Sequence, residues 1–535
     1  MTGWIHDLDA GAPETPIETD VCILGAGPVG LTLARSLAEK NRRVTILEIG
    51  GSTSAPGTAL PATRFDRREY RGATVGRAFG LGGTSALWGA QMLPVRAADL
   101  WARPQIQSQA WPIAYADIEP YFRFLQEYLG VSSSGFDFAS LLKSNHALSS
   151  LDFAEWAPRL SRWLAFGKRN IATAWDAQLR RHPGISVWVN AETRGWQVSG
   201  PSGDRTVREL VVVSPRGASL RVQPKALVIA GGALESARTV LELNDQVGPL
   251  SSGVSDFAGR FLHDHISLRI ARLHVIDKSG FEQRFAPFFE GSTMRSLRLE
   301  LPPEILESAG IPALYAHFIA IAPSTSGFAL VRDCLRLAQR RAFGPALAAA
   351  LKIPSALPDV AKLAYARFVK QRLAFPNAGD IFLQIDVEQA PRHANRVYLG
   401  PRVGDARRPL HIDWDVEEDA PRITQAVRHY FERFWERNDL NRIGTLDFQE
   451  DAEGWNRNVY NLYHPAGTTR MSLDPARGVV DVNLKVHGTS NAYVAGSSVF
   501  PSMGAANPTF TAMALALRLA HFIHGTGLSA VDRIS

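Results

Sequence analysis

Residues 20–51 read DVCILGAGPVGLTLARSLAEKNRRVTILEIGG. The stretch divides into an apolar strand (VCIL), a glycine turn, a helix and a second apolar strand (VTILE), which is a βαβ unit. Gly25, Gly27 and Gly30 form G-x-G-x-x-G directly after the first strand, and Glu48 ends the second about twenty residues on. In such a turn the first glycine permits the tight bend, the second lets backbone approach a pyrophosphate, and the third lets helix and strand pack closely. The helix N-terminus then faces the phosphates. Glu48 is placed to accept hydrogen bonds from ribose hydroxyls, where a 2′-phosphate would be repelled. The pattern predicts a dinucleotide site and leaves NAD and FAD both open.

Three further segments extend the reading along the chain. GRAFGLGGTSALWGAQMLPVRAADL at 76–100 is too glycine-rich for a helix or strand interior and could wrap a cofactor. ALVIAGGALESARTVLEL at 226–243 runs an apolar strand into Gly231 and Gly232 and then a helix with Glu235, Ser236 and Arg238. NLYHPAGTTRM at 461–471 precedes NAYVAGSSVFPSMGAANPTFTAMALALRLAHFI at 491–523. In content and order these segments resemble the glucose-methanol-choline (GMC) oxidoreductases, flavoproteins that oxidise alcohols with FAD. Within that family the chain looks nearest the branch of pyranose 2-oxidase, C-glycoside 3-oxidase and the FAD subunits of fructose and glucoside 3-dehydrogenases.

The resemblance implies an α/β fold, a Rossmann-like FAD-binding domain interleaved with a substrate domain built on an antiparallel β-sheet with flanking helices. Residues 15–100, 185–265 and 455–530 would form the first domain, and 101–184 with 266–454 the second. LRIARLHVI (268–276), DIFLQIDVEQ (380–389) and RVYLG (396–400) alternate as strands do. On that alternation Gln384, Asp386, Glu388 and Gln389 read as a solvent face ahead of sugar-binding groups, and Trp88, Phe288 and Phe289 as core.

Alcohol oxidation by a flavin needs a base for the hydroxyl proton, a hydride path to the flavin, and donors that hold the oxygen. His464 matches the histidine of the family's H-x-x-G-T, and an imidazole with a pKa near 6.5 is ready to accept a proton at neutral pH. Asn507, in A-N-P-T, matches the second catalytic position, where an amide holds the alcohol oxygen without competing for its proton. Cofactor contacts carry over to Gly25, Gly27, Gly30 and Glu48, to Gly83, Thr84 and Ser85, to Thr193 as an adenine contact, to Gly496 and Ser497, and to Pro508 and Thr509. Leu87 stands where pyranose 2-oxidases have the histidine that bonds covalently to FAD, so noncovalent FAD is expected. Gly89 replaces their threonine near the flavin, which leaves oxygen, a quinone or a redox protein open as electron acceptor. His265, in RFLHDHI, matches the family's D-H element. With His263 it makes an H-x-H for which no third ligand is apparent, so no metal is expected.

Other readings fare worse on the residues. The group that hydroxylates with NAD(P)H ends with a G-D motif where this chain has AGSS at 495–498, no G-x-S-x-G elbow supports a hydrolase, and no nucleic-acid motif is present. GMC-type oxidation of a non-carbohydrate alcohol and a flavin-binding scaffold without turnover stay open. Two cysteines, Cys22 and Cys334, are too few for a disulfide framework. The first nineteen residues carry Asp7, Asp9, Glu14 and Glu18 without Lys or Arg, unlike a secretory leader. With no run of about eighteen apolar residues, the expectation is a cytoplasmic protein whose membrane contact, if any, is peripheral.

At 535 residues, 45% hydrophobic and 21% charged, the chain has ordinary globular composition and is long for one core. Its formal charge of +6 is local. Residues 331–375 hold nine Lys or Arg against Asp333 and Asp359, a net +7, which leaves the rest of the chain at −1. LVRDCLRLAQ and VAKLAYARFVKQRLAF carry apolar residues at helical spacing and predict two helices separated by Pro354 and Pro358. Such an insertion reads as a helical lid or oligomer contact with a solvated basic face, or as a docking surface for an anionic membrane or acidic redox partner.

Overall fold

The computed structural model describes residues 4–56, 63–131, 136, 138, 146–340, 342–376, 379–402, 404, 407–416, 419–448 and 460–525. Residues 455–459 and 526–530 of the expected FAD-binding domain, and Arg341, lie outside them. Two sheets with separate apolar cores carry the fold.

The first sheet has eight strands. Seven run in the order Ile5–Asp7, Ile185–Val189, Val44–Leu47, Ile17–Leu24, Ser219–Ile229, Thr206–Val213 and Glu192–Ser199. Its centre is parallel, and residues 21–24 and 44–47 are buried throughout, as expected of strands covered on both faces. The helix Pro28–Ala38 packs against the long apolar helix Pro508–Gly525. The strand Ser219–Ile229 changes partners along its length. Residues 219–222 pair antiparallel with Thr206–Val213, whereas 222–229 run parallel to Ile17–Leu24 and 227–229 parallel to the eighth strand, Ala492–Val494. Ile229 is in register with both Leu24 and Val494. The first glycine turn, Gly231 and Gly496 therefore emerge together at the carboxyl ends of parallel strands, where open α/β sheets bind ligands.

The second sheet has nine strands. Its main path runs Gly444–Phe448, His265–Val275, Asp380–Glu388, Leu314–Ile321, Thr293–Glu300, Ala157–Trp163 and Gln91–Met92, antiparallel at every pairing. Two expectations are corrected here. Arg396–Leu399 is a strand, yet it pairs with Leu410–Asp413 in a separate three-stranded sheet, because Gly400 N donates to the Pro409 carbonyl and turns the chain back on itself. Gln384, Asp386, Glu388 and Gln389 are buried, at most 3% exposed, and do not face solvent.

Leu314–Ile321 and Asp380–Glu388 pair directly down to Ile321 and Asp380, so a tight turn could join them. The connection instead contains three helices, Gly327–Gln339, Phe343–Ala350 and Leu357–Phe368. The sequence predicted two, split by both prolines. Pro358 instead sits in the first turn of the third helix, where its missing N–H costs no intrahelical bond. Among the described residues no helix is long and apolar enough to cross a membrane.

Candidate active site

The glycine turn is built by close approach. Gly25 has φ +110°, and a Cβ on Gly30 would lie 2.1 Å from the Gly25 carbonyl oxygen, so helix and strand touch only because that carbon is missing. A Cβ on Gly27 would meet no atom of the described residues within 4 Å. The turn is thus open on one side, facing the start of a helix whose N-cap supplies no side-chain bond and whose first residue is proline. Free N–H groups of that first turn suit an anion such as a pyrophosphate.

Glu48 sits just past the strand Val44–Leu47 and is 5% exposed. One carboxylate oxygen accepts from Ala26 N at 2.8 Å, and the other from Gly50 N at 2.9 Å and Gly80 N at 2.8 Å. Burial pushes its pKa up against the pull of these three donors. A carboxylate has about four acceptor positions, so one remains for a ribose hydroxyl. Asn190 N and Ala191 N bond the carbonyls of Gly50 and Glu48, which brings the strand carrying Thr193 beside this corner.

The loop at 82–88 folds over the turn through Gly82 N to the Ala26 carbonyl, 2.9 Å. Ser85 Oγ is used inside the protein, donating to the Gly82 carbonyl and accepting from Ile171 N. Thr84 and Leu87 are half-buried. The loop is also held from outside. Gln339 Nε2, at the end of the helix Gly327–Gln339, donates to the carbonyls of Ser85 and Trp88, both at 3.0 Å.

At the C-terminal end, His464 and Asn507 meet across 43 residues of chain, with Asn507 Nδ2 3.2 Å from His464 Nε2. The ring's tautomer follows from its neighbours. His265 Nε2 is 2.7 Å from the Gly504 carbonyl, which can only accept, so this nitrogen carries the proton. With its proton on Nε2, His265 offers Nδ1 as an acceptor to His464 Nδ1 at 3.2 Å. His464 is therefore Nδ1–H, and its Nε2 lone pair points toward Asn507. Burial, followed by the neighbouring His265, pushes the His464 pKa down to about 3, which keeps the ring neutral. Asp264 fixes both histidine backbones, accepting from His265 N at 2.7 Å and His464 N at 2.8 Å as well as from Tyr70 and Asn461. Ser497 Oγ clips the same loop by donating to the Pro465 carbonyl at 2.7 Å. Asn507 Oδ1 is buried with no partner among the described residues, leaving an acceptor for a bound group. Pro508 and Thr509 open the following helix.

Beneath this pair lies a polar layer that the sequence placed on the solvent side. Glu388 accepts from Met503 N at 2.7 Å and Gly504 N at 2.9 Å and takes both guanidinium nitrogens of Arg103, one at 2.8 Å. It thus positions the segment whose carbonyl orients His265. Asp386 bonds His317 Nε2 at 3.1 Å, Gln384 at 2.8 Å and Ser267. Its carboxyl is held well below the usual range as the favourable charge and hydrogen bonds of His317, with Ser267 and Arg298, overcome desolvation. A strand alternating apolar with Gln, Asp and Glu was the only signal for this layer.

A GMC oxidoreductase family model matches residues 391–516, which contain both His464 and Asn507. Among curated proteins, Dehydrogenase str4 of Strobilurus tenacellus is 36% identical over 119 residues, 22% of this chain and 18% of that protein. The 6'''-hydroxyparomomycin C oxidase of Streptomyces lividus is 31% identical over 134 residues, 25% and 23% respectively. The aligned stretches thus span less than a quarter of these relatives. Among solved structures, a formate oxidase superimposes with a TM-score of 0.57 at 16% identity, covering 96% of this chain and 99% of that one. A pyridoxine 4-oxidase from Mesorbium loti gives 0.56 at 19% identity, covering 95% and 99%. The fold is shared over nearly the whole chain, and the GMC oxidoreductase family model, over residues 391–516, lies on the histidine and asparagine that the structure brings together.

Proposed function

We propose that the protein is an FAD-dependent oxidoreductase that oxidises a CH–OH group, and that its substrate is a secondary hydroxyl of a sugar, glycoside or similar polyol, converted to a ketone. The observation that carries this reading is the His464 Nε2 lone pair, fixed by its tautomer opposite the Asn507 amide. The open side of Gly27, the remaining acceptor position on Glu48 and the unpartnered Asn507 Oδ1 fit a dinucleotide flavin. Residues 25–30, Glu48, 83–85, Thr193, Gly496, Ser497, Pro508 and Thr509 would hold it, noncovalently. The division into 15–100, 185–265 and 455–530 for the cofactor, with 101–184 and 266–454 for the substrate, belongs to the same reading.

When bound, the flavin accepts the hydride. His464 Nε2 takes the hydroxyl proton, and Asn507 Nδ2 donates to the hydroxyl oxygen. The Gly504 carbonyl and His265 keep the His464 ring in the tautomer that leaves Nε2 unprotonated, and burial keeps it uncharged before it reacts. The oxidase and dehydrogenase names of the sequence relatives support oxidation. A buried polar layer next to the base supports a hydroxyl-rich substrate. The acceptor is oxygen, a quinone or a redox protein.

Anaerobic bleaching of the visible flavin absorbance on adding candidate alcohols tests the reading. A polyol or glycoside should bleach it, and His464→Ala should slow bleaching by about 10²–10⁴-fold, the usual contribution of a general base. Bleaching unaffected by that substitution would remove the proposed base. Bleaching by non-carbohydrate alcohols alone would replace the substrate class, and no bleaching by any alcohol would leave a flavin-binding scaffold.

A further inference from the structure

Residues 322–379 stand where a tight turn would have joined two paired strands, and their surface is unlike the rest of the molecule. Fifteen large apolar side chains are exposed among the described residues, and eight of them lie between Leu335 and Val369. They are ordered. Phe343, Leu347 and Leu351 recur every four residues along the helix Phe343–Ala350 and its cap. Leu357 and Phe368 share the outer side of the helix Leu357–Phe368, opposite Ala366, which is 7% exposed. Phe343, Leu347, Leu351 and Phe368 are 66–75% exposed, so they protrude and do not line a groove.

The same segment holds the chain's excess positive charge. Arg340, Lys352 and Lys362 are exposed, and among the described residues no carboxylate lies within 4.0 Å of any of them. Lys352 directly follows Leu351, whereas Lys362 lies on the flank of its helix, about 120–140° around from Leu357 and Phe368. Protruding apolar side chains in a segment that also carries long cationic ones form a two-part signature: the apolar groups enter the boundary between headgroups and acyl chains, and the cationic side chains reach lipid phosphates.

We propose that the outer faces of the helices Phe343–Ala350 and Leu357–Phe368 dock this protein onto the surface of an anionic lipid bilayer. A second copy of the chain would bring one +7 segment against another, which repulsion opposes. A protein partner recognised by charge would not call for this row of protruding leucines, because the anchors of protein interfaces are mostly Trp, Tyr and Arg, with Leu under-represented. The proposal does not depend on the flavin chemistry.

The test uses the full chain floated on a density gradient with vesicles of phosphatidylcholine alone or mixed with phosphatidylglycerol. The protein should float with the mixed vesicles at low salt, at least about tenfold more than with phosphatidylcholine. The triple variant F343E/L347E/F368E should stay at the bottom, and K352E/K362E, which lowers the segment from +7 to +3, should bind less and with a weaker salt dependence. Both variants alter exposed side chains and should keep the wild-type circular dichroism and thermal midpoint, with Leu347→Glu alone as the milder form if the triple variant misfolds. Wild-type protein that ignores phosphatidylglycerol vesicles would overturn the proposal. So would apolar variants that float like wild type, or equal flotation with both lipids. A dimer in solution that F343E/L347E/F368E converts to monomer, without vesicle binding, would assign the face to a second copy instead.

Discussion

Glu48 and Glu388 are both buried glutamates that gather backbone N–H groups from separate parts of the chain, and the two regions around them solve the same problem differently. Glu48 holds Ala26, Gly50 and Gly80 with no cation paired to it among the described residues, and burial pushes its carboxyl up. Glu388 holds Met503 and Gly504 with a bidentate arginine, Arg103, at its back. A carboxylate that must still receive a ligand keeps an acceptor position and goes without a counter-ion. A carboxylate whose only task is to position a segment is saturated and neutralised.

The sharpest way to break this comparison is Glu388→Ala. It strands the Arg103 guanidinium, which is 9% exposed, and two backbone donors, so urea unfolding should show a loss of about 3–5 kcal/mol. A loss below about 1 kcal/mol would mean that water takes over its role. Glu48→Gln should cost the fold less, about 1–2 kcal/mol, because its amide keeps one oxygen as acceptor. Its main effect should be on bound flavin, measured as cofactor retained through gel filtration and expected to fall by roughly tenfold or more. Equal stability losses for the two variants would erase the distinction.

A further effect is one of pH, and its sign differs between the regions. Burial holds His464 near 3 and His263 near 4, whereas an unfolded histidine titrates near 6.5. Below about pH 6.5 the unfolded chain takes up protons that the native state refuses, so stability falls as pH drops toward 4, by up to about 1.4 kcal/mol per pH unit for each ring. Glu48 works oppositely. Its raised carboxyl contributes stability that is present at low pH and lost as pH rises through its folded value. Thermal midpoints at pH 7 and pH 5 should show the histidine slope, and His464→Ala should flatten it.

The same comparison explains what the sequence disclosed. The Glu48 corner is local: its ligands lie within 32 residues, and its glycines are forced by backbone approach, so spacing alone reveals it. His464 and Asn507 were legible through the short motifs around them. Glu388 was misread as solvent-facing because alternation says only that a strand has two faces. What covers the second face is Arg103, 285 residues earlier, and Gly504, 116 residues later. The tautomer of His464 was equally hidden, since it depends on a carbonyl 239 residues from the His265 ring that it orients. The third surface helix was missed because proline was taken as a separator where it serves as a first-turn residue.

The pairing of residues 227–229 with Ala492–Val494 has a consequence for biosynthesis. Until the last tenth of the chain has been made, that side of a central apolar strand has no partner, and unpaired strand edges template aggregation. A loop of more than 250 residues must close before the edge is covered, which makes the step slow. Chains ending before Ala492 should therefore be lost to inclusion bodies or proteolysis. The strand that leads into the segment carrying Asn507 also completes the sheet, so a soluble product is by construction one in which that segment has been delivered.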